Sequence, residues 1–183
     1  VTDALTGESL RDPDSGSSAF GVVYRTYASQ VLGYFKARGA EDPEAAMQEV
    51  FLSVLPRLNS VTGGSAGLRT FIFSVAHARM VDDHRRQSRT PAKLPFEPEL
   101  DAREDPSAEE EALERIAPGE IVGLLESLQQ EQREVLSLRL VAGLTVEQTA
   151  ETIGKSAGAV KQLQRRGILK LREVAAVKEY LRP

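Results

Sequence analysis

The chain has no cysteine and no tryptophan, and aromatic residues make up only 5% of it. Without thiols it can build neither a disulfide framework nor a thiolate metal centre, and it fits a reducing compartment such as the cytoplasm. Long hydrophobic runs are missing too. Stretches such as Val50, Phe51 and Leu52 are far too short to cross a bilayer, and no basic segment followed by an apolar one opens the chain, so neither secretion nor membrane insertion is expected. Catalytic signatures are equally scarce: there is no phosphate-cradling glycine motif, no HExxH and no GxSxG. Asp82, Asp83 and His84 are adjacent, but neighbours on a helix point in different directions and make no triad. His77 and His84 stand seven apart with no further ligand to complete a metal site. No enzymatic activity, metal or cofactor is expected.

What the chain does have is a partition of charge. The net value of -4 argues against a polyanionic partner until it is resolved along the sequence. Between residues 79 and 93, Arg79, Arg85, Arg86, Arg89 and Lys93 outnumber Asp82 and Asp83, leaving +3. Between residues 155 and 172 there are six basic residues and no acid, giving +6. Residues 97–120 hold ten acids against Arg103 and Arg115, or -8. Two basic patches flanking an acidic tether are what a split footprint on DNA requires.

Periodicity divides the chain in the same places. Residues 1–18, rich in Gly, Ser, Asp and Thr, read as a disordered tail. Phe20, Val23, Tyr24, Tyr27, Val31, Leu32 and Phe35 then form one helical stripe that ends near Gly39. Asp42 and Pro43 restart a helix, as a cap and a first-turn proline, and Ala46, Val50, Phe51, Val54, Leu55 and Leu58 form its apolar face. Residues 59–67, with three glycines, predict a loop, and a third helix is expected from about Leu68 to its basic end before Pro91. Pro91, Pro95, Pro98 and Pro106 among acids mark an extended linker, with Ser107 and Glu110 as a capping box leading out of it. Four further helical segments follow, over residues 121–128, 131–141, 146–153 and 157–181, and no segment alternates at period two. The fold class is therefore all-α, as two small helical domains: a tail to residue 18, a first domain over 19–91, a linker over 92–112 and a second domain over 113–183.

The stretch TVEQTAETIGKSAGAVKQLQRR (145–166) has the grammar of a helix-turn-helix. Ala150 lets two helices cross closely, Gly154 supplies the positive φ of the turn, and Val160 anchors the second helix to the first. Thr145 and Gln148 form a capping box, and Ser156 caps the second helix. With Val160 inward, Ala157, Gly158, Lys161, Gln162 and Arg165 fall on the outer face or near the helix start, where they can enter a major groove, while Arg166 and Lys170 suit the phosphate backbone. The alternative is a helical hairpin whose basic face is merely solvated.

Other segments resemble one family. LESLQQEQREVLSLRLVAGLT (125–145), with QREVLSLR (132–139) as its core, running into Ala150, Gly154, Val160 and Lys161, resembles region 4 of sigma-70-family factors. PEAAMQEVFL (43–52) resembles region 2.2, and RTFIFSVAHARMVDDHRR (69–86) resembles regions 2.3 and 2.4. Both lobes in this order, on a short linker and without regions 1.1 and 3, resemble the extracytoplasmic-function (ECF) group over about residues 20–175.

The resemblance implies a sigma factor that gives core RNA polymerase its promoter specificity. Gln48, Glu49 and Leu52 would dock on the clamp coiled coil of the largest subunit, and the polymerase flap is a further implied partner. Leu68, Arg69, Thr70 and His77 would take part in capturing a base flipped from the minus-10 element, with Arg79, Arg85, Arg86 and Arg89 on phosphates. Phe71 is placed by its periodicity in the core rather than as a stacking platform. Ser156, Ala157, Gly158, Lys161, Gln162, Arg165 and Arg166 would meet the minus-35 element. An anti-sigma factor covering polymerase-binding surfaces is also implied. Two other classes fit parts of the chain: a stand-alone helix-turn-helix regulator, which leaves the first lobe unexplained, and a protein-interaction module that touches no DNA.

Overall fold

The computed structural model describes residues 16–87 and 118–180. Among them it forms seven α-helices and no strand, in keeping with the absence of period-two patterning. The tail expected over residues 1–18 lies outside the described residues except for its last three, and so do the acidic linker, the Ser107 capping box, Arg89 and Lys93.

Helix α1 (Gly16–Arg38) places Val23, Tyr27, Val31, Tyr34 and Phe35 on one buried face. It stops at Gly39, whose φ of 73° turns the chain so that the Ala40 N–H donates back to the Phe35 carbonyl at 3.0 Å. Asp42 then accepts from the Ala45 N–H at 2.9 Å and Pro43 occupies the first turn, as expected, to open α2 (Pro43–Val54). Its buried face is Ala46, Met47, Val50, Phe51 and Val54. Leu55 does not join them. The chain tightens there into a 3-10 turn (Leu55–Ser60), and the change of winding leaves Leu55 41% exposed while Leu58 is buried.

Helix α3 (Gly64–Gln87) begins four residues before the expected start, so the loop shrinks to residues 61–63. The cause is a close approach. A Cβ on Gly67 would lie 1.9 Å from the Thr62 carbonyl oxygen, so only glycine lets the loop fold back onto the first helical turn. Downstream, Leu68, Ile72, Phe73, Ala76 and Met80 complete the core of α1–α3.

The second set of helices is α4 (Pro118–Leu125), α5 (Gln130–Leu136), α6 (Val146–Ile153) and α7 (Ala157–Tyr180). Helix α5 does not run evenly to residue 141; it widens into a π turn (Ser137–Val141). The Arg133 side chain donates to the Leu125, Glu126 and Leu128 carbonyls, tying the end of α4 to α5.

The two sets of helices do not stand apart. Leu138, Ala142 and Leu144, all in or just after the π turn, are fully buried in the same apolar cluster as Val31, Phe35 and Phe73. In return Ala37 of α1 is buried among Leu124, Leu125, Leu136 and Ile168. Each fully buried leucine contributes about 1.5–3 kcal/mol, so this seam is a substantial part of the fold. Gly67→Ala will lower stability by about 1–3 kcal/mol, read as a shift in urea midpoint at unchanged slope. An unchanged midpoint would mean that the loop relaxes freely.

Candidate nucleic-acid interface

The helix-turn-helix forms as its sequence demands. The Thr145 N–H donates to Gln148 Oε1 at 2.8 Å and the Gln148 N–H donates to Thr145 Oγ1 at 3.1 Å, a reciprocal box that opens α6. Gly154 closes the helix with φ 68°, and the Lys155 N–H then reaches the Ala150 carbonyl at 3.0 Å. Lys155 Nζ lies 2.8 Å from Glu131 Oε1, tying the turn to α5. Ser156 Oγ accepts from the Ala159 N–H at 3.2 Å and starts α7.

Val160 is fully buried against Val135, Ala150 and Leu163, which fixes the rotation of α7. Gly158 and Lys161 are consequently exposed, with Ala157, Gln162, Arg165 and Arg166 half-buried beside them. The buried amide of Gln164 accepts from Arg139 Nε at 2.8 Å, and Arg139 also donates to the Leu144 carbonyl. These bonds brace α7 from behind, so the residues expected at the minus-35 element share one supported surface.

The residues expected at the minus-10 element are more scattered. Leu68 is 1% exposed and belongs to the core, so it shapes the start of α3 and its side chain offers nothing to a base. Arg69 is half-buried, its guanidinium 5.8 Å from the Tyr27 ring centroid and against Gly143 of the second set of helices. Thr70 lines a cleft of about 520 Å³ together with Arg57, Thr62, Phe71, Ser74 and, from α6, Gln148 and Glu151. Phe71 packs on the core with part of its surface and meets this cleft with the rest. Arg57, Thr62 and Ser74 were not singled out from sequence, and nothing in their spacing marks them. Arg79 lies 2.5 Å from Glu49 and 3.4 Å from Asp83, while Arg85 and Arg86 are exposed at the end of α3. Gln48, Glu49 and Leu52 form an exposed ridge on α2, with Leu52 69% accessible.

His77 faces inward. Its Nδ1 lies 3.6 Å from Glu134 Oε1, the same oxygen that accepts from Arg38 Nη2 at 3.0 Å, and Arg38 Nη1 donates to the Gln130 carbonyl at 3.2 Å. Arg38 is 4% exposed. Sequence periodicity missed this cluster, although an arginine beside Ala37 at the end of an apolar stripe was its one signal. Burial lowers the His77 pKa from its ordinary 6.5, with Glu134 opposing and Arg38 adding to the shift.

The sign of the pH effect follows. Above 6.5 His77 is neutral whether folded or unfolded, so the fold keeps its full stability. As pH falls below that value, the unfolded chain takes up the proton more readily, and stability is lost until pH passes the depressed folded value. In urea melts from about pH 8 to about pH 5.5 the stability of the native chain minus that of His77→Asn will decrease; a difference that grows on acidification would contradict this.

Comparisons with known proteins fit this arrangement. Residues 124–173 match the family model described as Sigma-70, region 4. The chain is 31% identical over 190 residues to the ECF RNA polymerase sigma factor SigD of Mycobacterium tuberculosis, covering 97% of this chain and 86% of that protein. It is 35% identical over 136 residues to ShbA of Streptomyces griseus, another ECF RNA polymerase sigma factor, covering 72% of this chain and 71% of the relative. With BldN of Streptomyces coelicolor the identity is 30% over 155 residues, spanning 83% of this chain and 58% of the longer relative. Among solved structures, that of CnrH in complex with the cytosolic domain of CnrY matches with a TM-score of 0.60 at 18% identity, over 94% of this chain and 99% of that one, which speaks for the fold alone.

Proposed function

The chain belongs to the ECF RNA polymerase sigma factors of the sigma-70 family, and on that premise we propose that it carries core RNA polymerase to promoters through two separate DNA contacts and one polymerase ridge. The observation that carries this reading is α7. Its rotation is locked by Val160 and its start by Ser156, which leaves Gly158 and Lys161 open to a groove, with Gln162, Arg165 and Arg166 flanking them. A helix N-terminus with small residues can approach DNA closely, and its free N–H groups favour phosphate. Lys161, Gln162 and Arg165 read the minus-35 element, and Arg166 holds the backbone.

The start of α3 serves the minus-10 element. The cleft at Thr70 and Phe71 is lined by hydroxyls, an aromatic edge and Arg57, a chemistry suited to an unstacked base, with Arg85 and Arg86 on phosphates. Gln48, Glu49 and Leu52 dock on the polymerase clamp, since an exposed leucine beside a polar pair suits a helix-helix interface. An anti-sigma factor would act by covering this ridge and the neighbouring exposed Leu55. The protein works in the cytoplasm as a non-catalytic initiation factor; no helix among the described residues is long and apolar enough to cross a membrane.

In vitro transcription with purified core polymerase on a promoter library tests the reading directly. Initiation will depend on this chain and select a two-part promoter. Leu52→Asp will abolish both polymerase binding and initiation while leaving the fold intact. Lys161→Ala will weaken minus-35 discrimination by about 1–3 kcal/mol if it reads a base, or reduce the salt slope of binding by about 1 if it meets a phosphate. Failure of the folded chain to bind core polymerase at low salt would end the proposal.

A further inference from the structure

We propose that Arg79 is a positioning residue for the polymerase ridge, holding Glu49 in the conformation that docks, and that it meets no DNA phosphate. The inference rests on the ridge reading above and adds to it a residue from a different helix.

The guanidinium of Arg79 is turned toward α2. Arg79 stands on α3 just before the buried Met80, and its own side chain is 30% exposed. Its Nη1 lies 2.5 Å from Glu49 Oε2, and its Nε lies 3.4 Å from Asp83 Oδ2, one turn further along α3. The second contact is an ion pair by distance without the alignment of a hydrogen bond, since Nε is buried with no hydrogen-bond partner. The guanidinium is thus held between two carboxylates, and Arg79 lines a cleft between α2 and α3 together with Ala46 and Met80.

Charge decides against the phosphate role that a place in a basic run suggests. One guanidinium between two carboxylates leaves the trio with a net charge of -1. A phosphate brought there meets repulsion from Glu49 and Asp83 along with attraction to Arg79. Arg85 and Arg86 stand beyond this trio, exposed at the end of α3, and they are the residues of that run left for the strand.

Glu49 gains what the phosphate loses. It lies on the exposed face of α2, three residues before Leu52, with its side chain 47% exposed. A glutamate alone on a helix surface samples several rotamers, and ordering it on binding costs affinity. Arg79 orders it beforehand by holding Oε2, so that Oε1 is offered to a donor on the polymerase. Val50 of α2 and Met80 of α3 are buried in one core, so the pair joins two fixed points. A partly exposed ion pair adds little to stability, so its loss is felt in docking rather than in folding.

The test is the affinity for core polymerase of Arg79→Gln, Glu49→Gln and the double variant, each competed against the labelled native chain. Arg79→Gln will weaken binding about fivefold and Glu49→Gln at least as much, while the double variant will bind no more weakly than Glu49→Gln alone. Arg79→Lys, which keeps a cation for a contact made through one nitrogen, will stay within about twofold of the native chain. Urea midpoints will barely move, and the salt slope of promoter binding by the assembled holoenzyme will not change.

Native affinity in Arg79→Gln overturns the proposal, and so do additive losses in the double variant or a loss in Arg79→Lys as large as in Arg79→Gln. A salt slope reduced by about 1 makes Arg79 a phosphate contact and overturns it as well. Should Arg79→Gln fail to fold, Arg79→Met, which keeps the apolar stem, takes its place with the same outcomes. If Glu49→Gln binds core polymerase as the native chain does, the positioning role falls while the sigma reading stands. If the native chain itself does not bind core polymerase, both fall.

Discussion

A guanidinium cannot leave water without a carboxylate to meet it, and in this protein the two come from opposite halves of the chain. Arg38 closes α1, Glu134 lies in the middle of α5, and 96 residues separate them in sequence. Desolvating both charges costs several kcal/mol, and the hydrogen bond that Arg38 Nη1 donates to the Gln130 carbonyl helps their attraction to offset it, although Arg38 Nε is buried without a partner. Such a pair adds little net stability against an apolar substitute, but breaking it by removing one partner costs about 3–5 kcal/mol. It therefore fixes which surfaces meet. Tyr34, fully buried beneath it, and His77, beside it, are both held in their neutral forms by burial, so the cluster has only one charge of each sign to reconcile.

Around this pair the apolar seam follows from a local distortion. An α-helix continued evenly from α5 would carry Leu138 and Val141 around its own axis. The π turn over Ser137–Val141 inserts extra backbone into that circuit, and Leu138, Ala142 and Leu144 all reach the core of α1–α3. The Ser137 hydroxyl donates back to the Arg133 carbonyl at 2.6 Å, meeting an acceptor next to the widened turn. Thus the segment most diagnostic of family, residues 132–139, also carries the joint between the two halves.

Local rules made much of the fold legible in the sequence. Asp42 with Pro43, Thr145 with Gln148, Gly154 and Val160 each encode their role within a few residues, and each takes that role in the structure. What periodicity could not show depended on contacts between distant segments or on short-range sterics. Three glycines make residues 59–67 read as a loop, whereas Gly67 is needed for the Thr62 carbonyl to approach the first turn of α3. Leu55 followed the helical stripe in sequence but falls where the winding changes. His77 and Leu68 resembled DNA contacts by position, yet one turns into the seam and the other into the core. Glu134 carries no local signal, since a glutamate inside QREVLSLR reads as a solvated residue until α1 is laid against it.

Segregation of charge lets a chain of net charge -4 bind a polyanion selectively rather than indiscriminately. The basic residues proposed to meet DNA sit on two surfaces, the end of α3 and the outer face of α7. Joining two weak contacts through a rigid partner raises the effective concentration of the second once the first is made. Selectivity then resides in the requirement for three surfaces at once, which random DNA cannot satisfy, rather than in the affinity of either lobe.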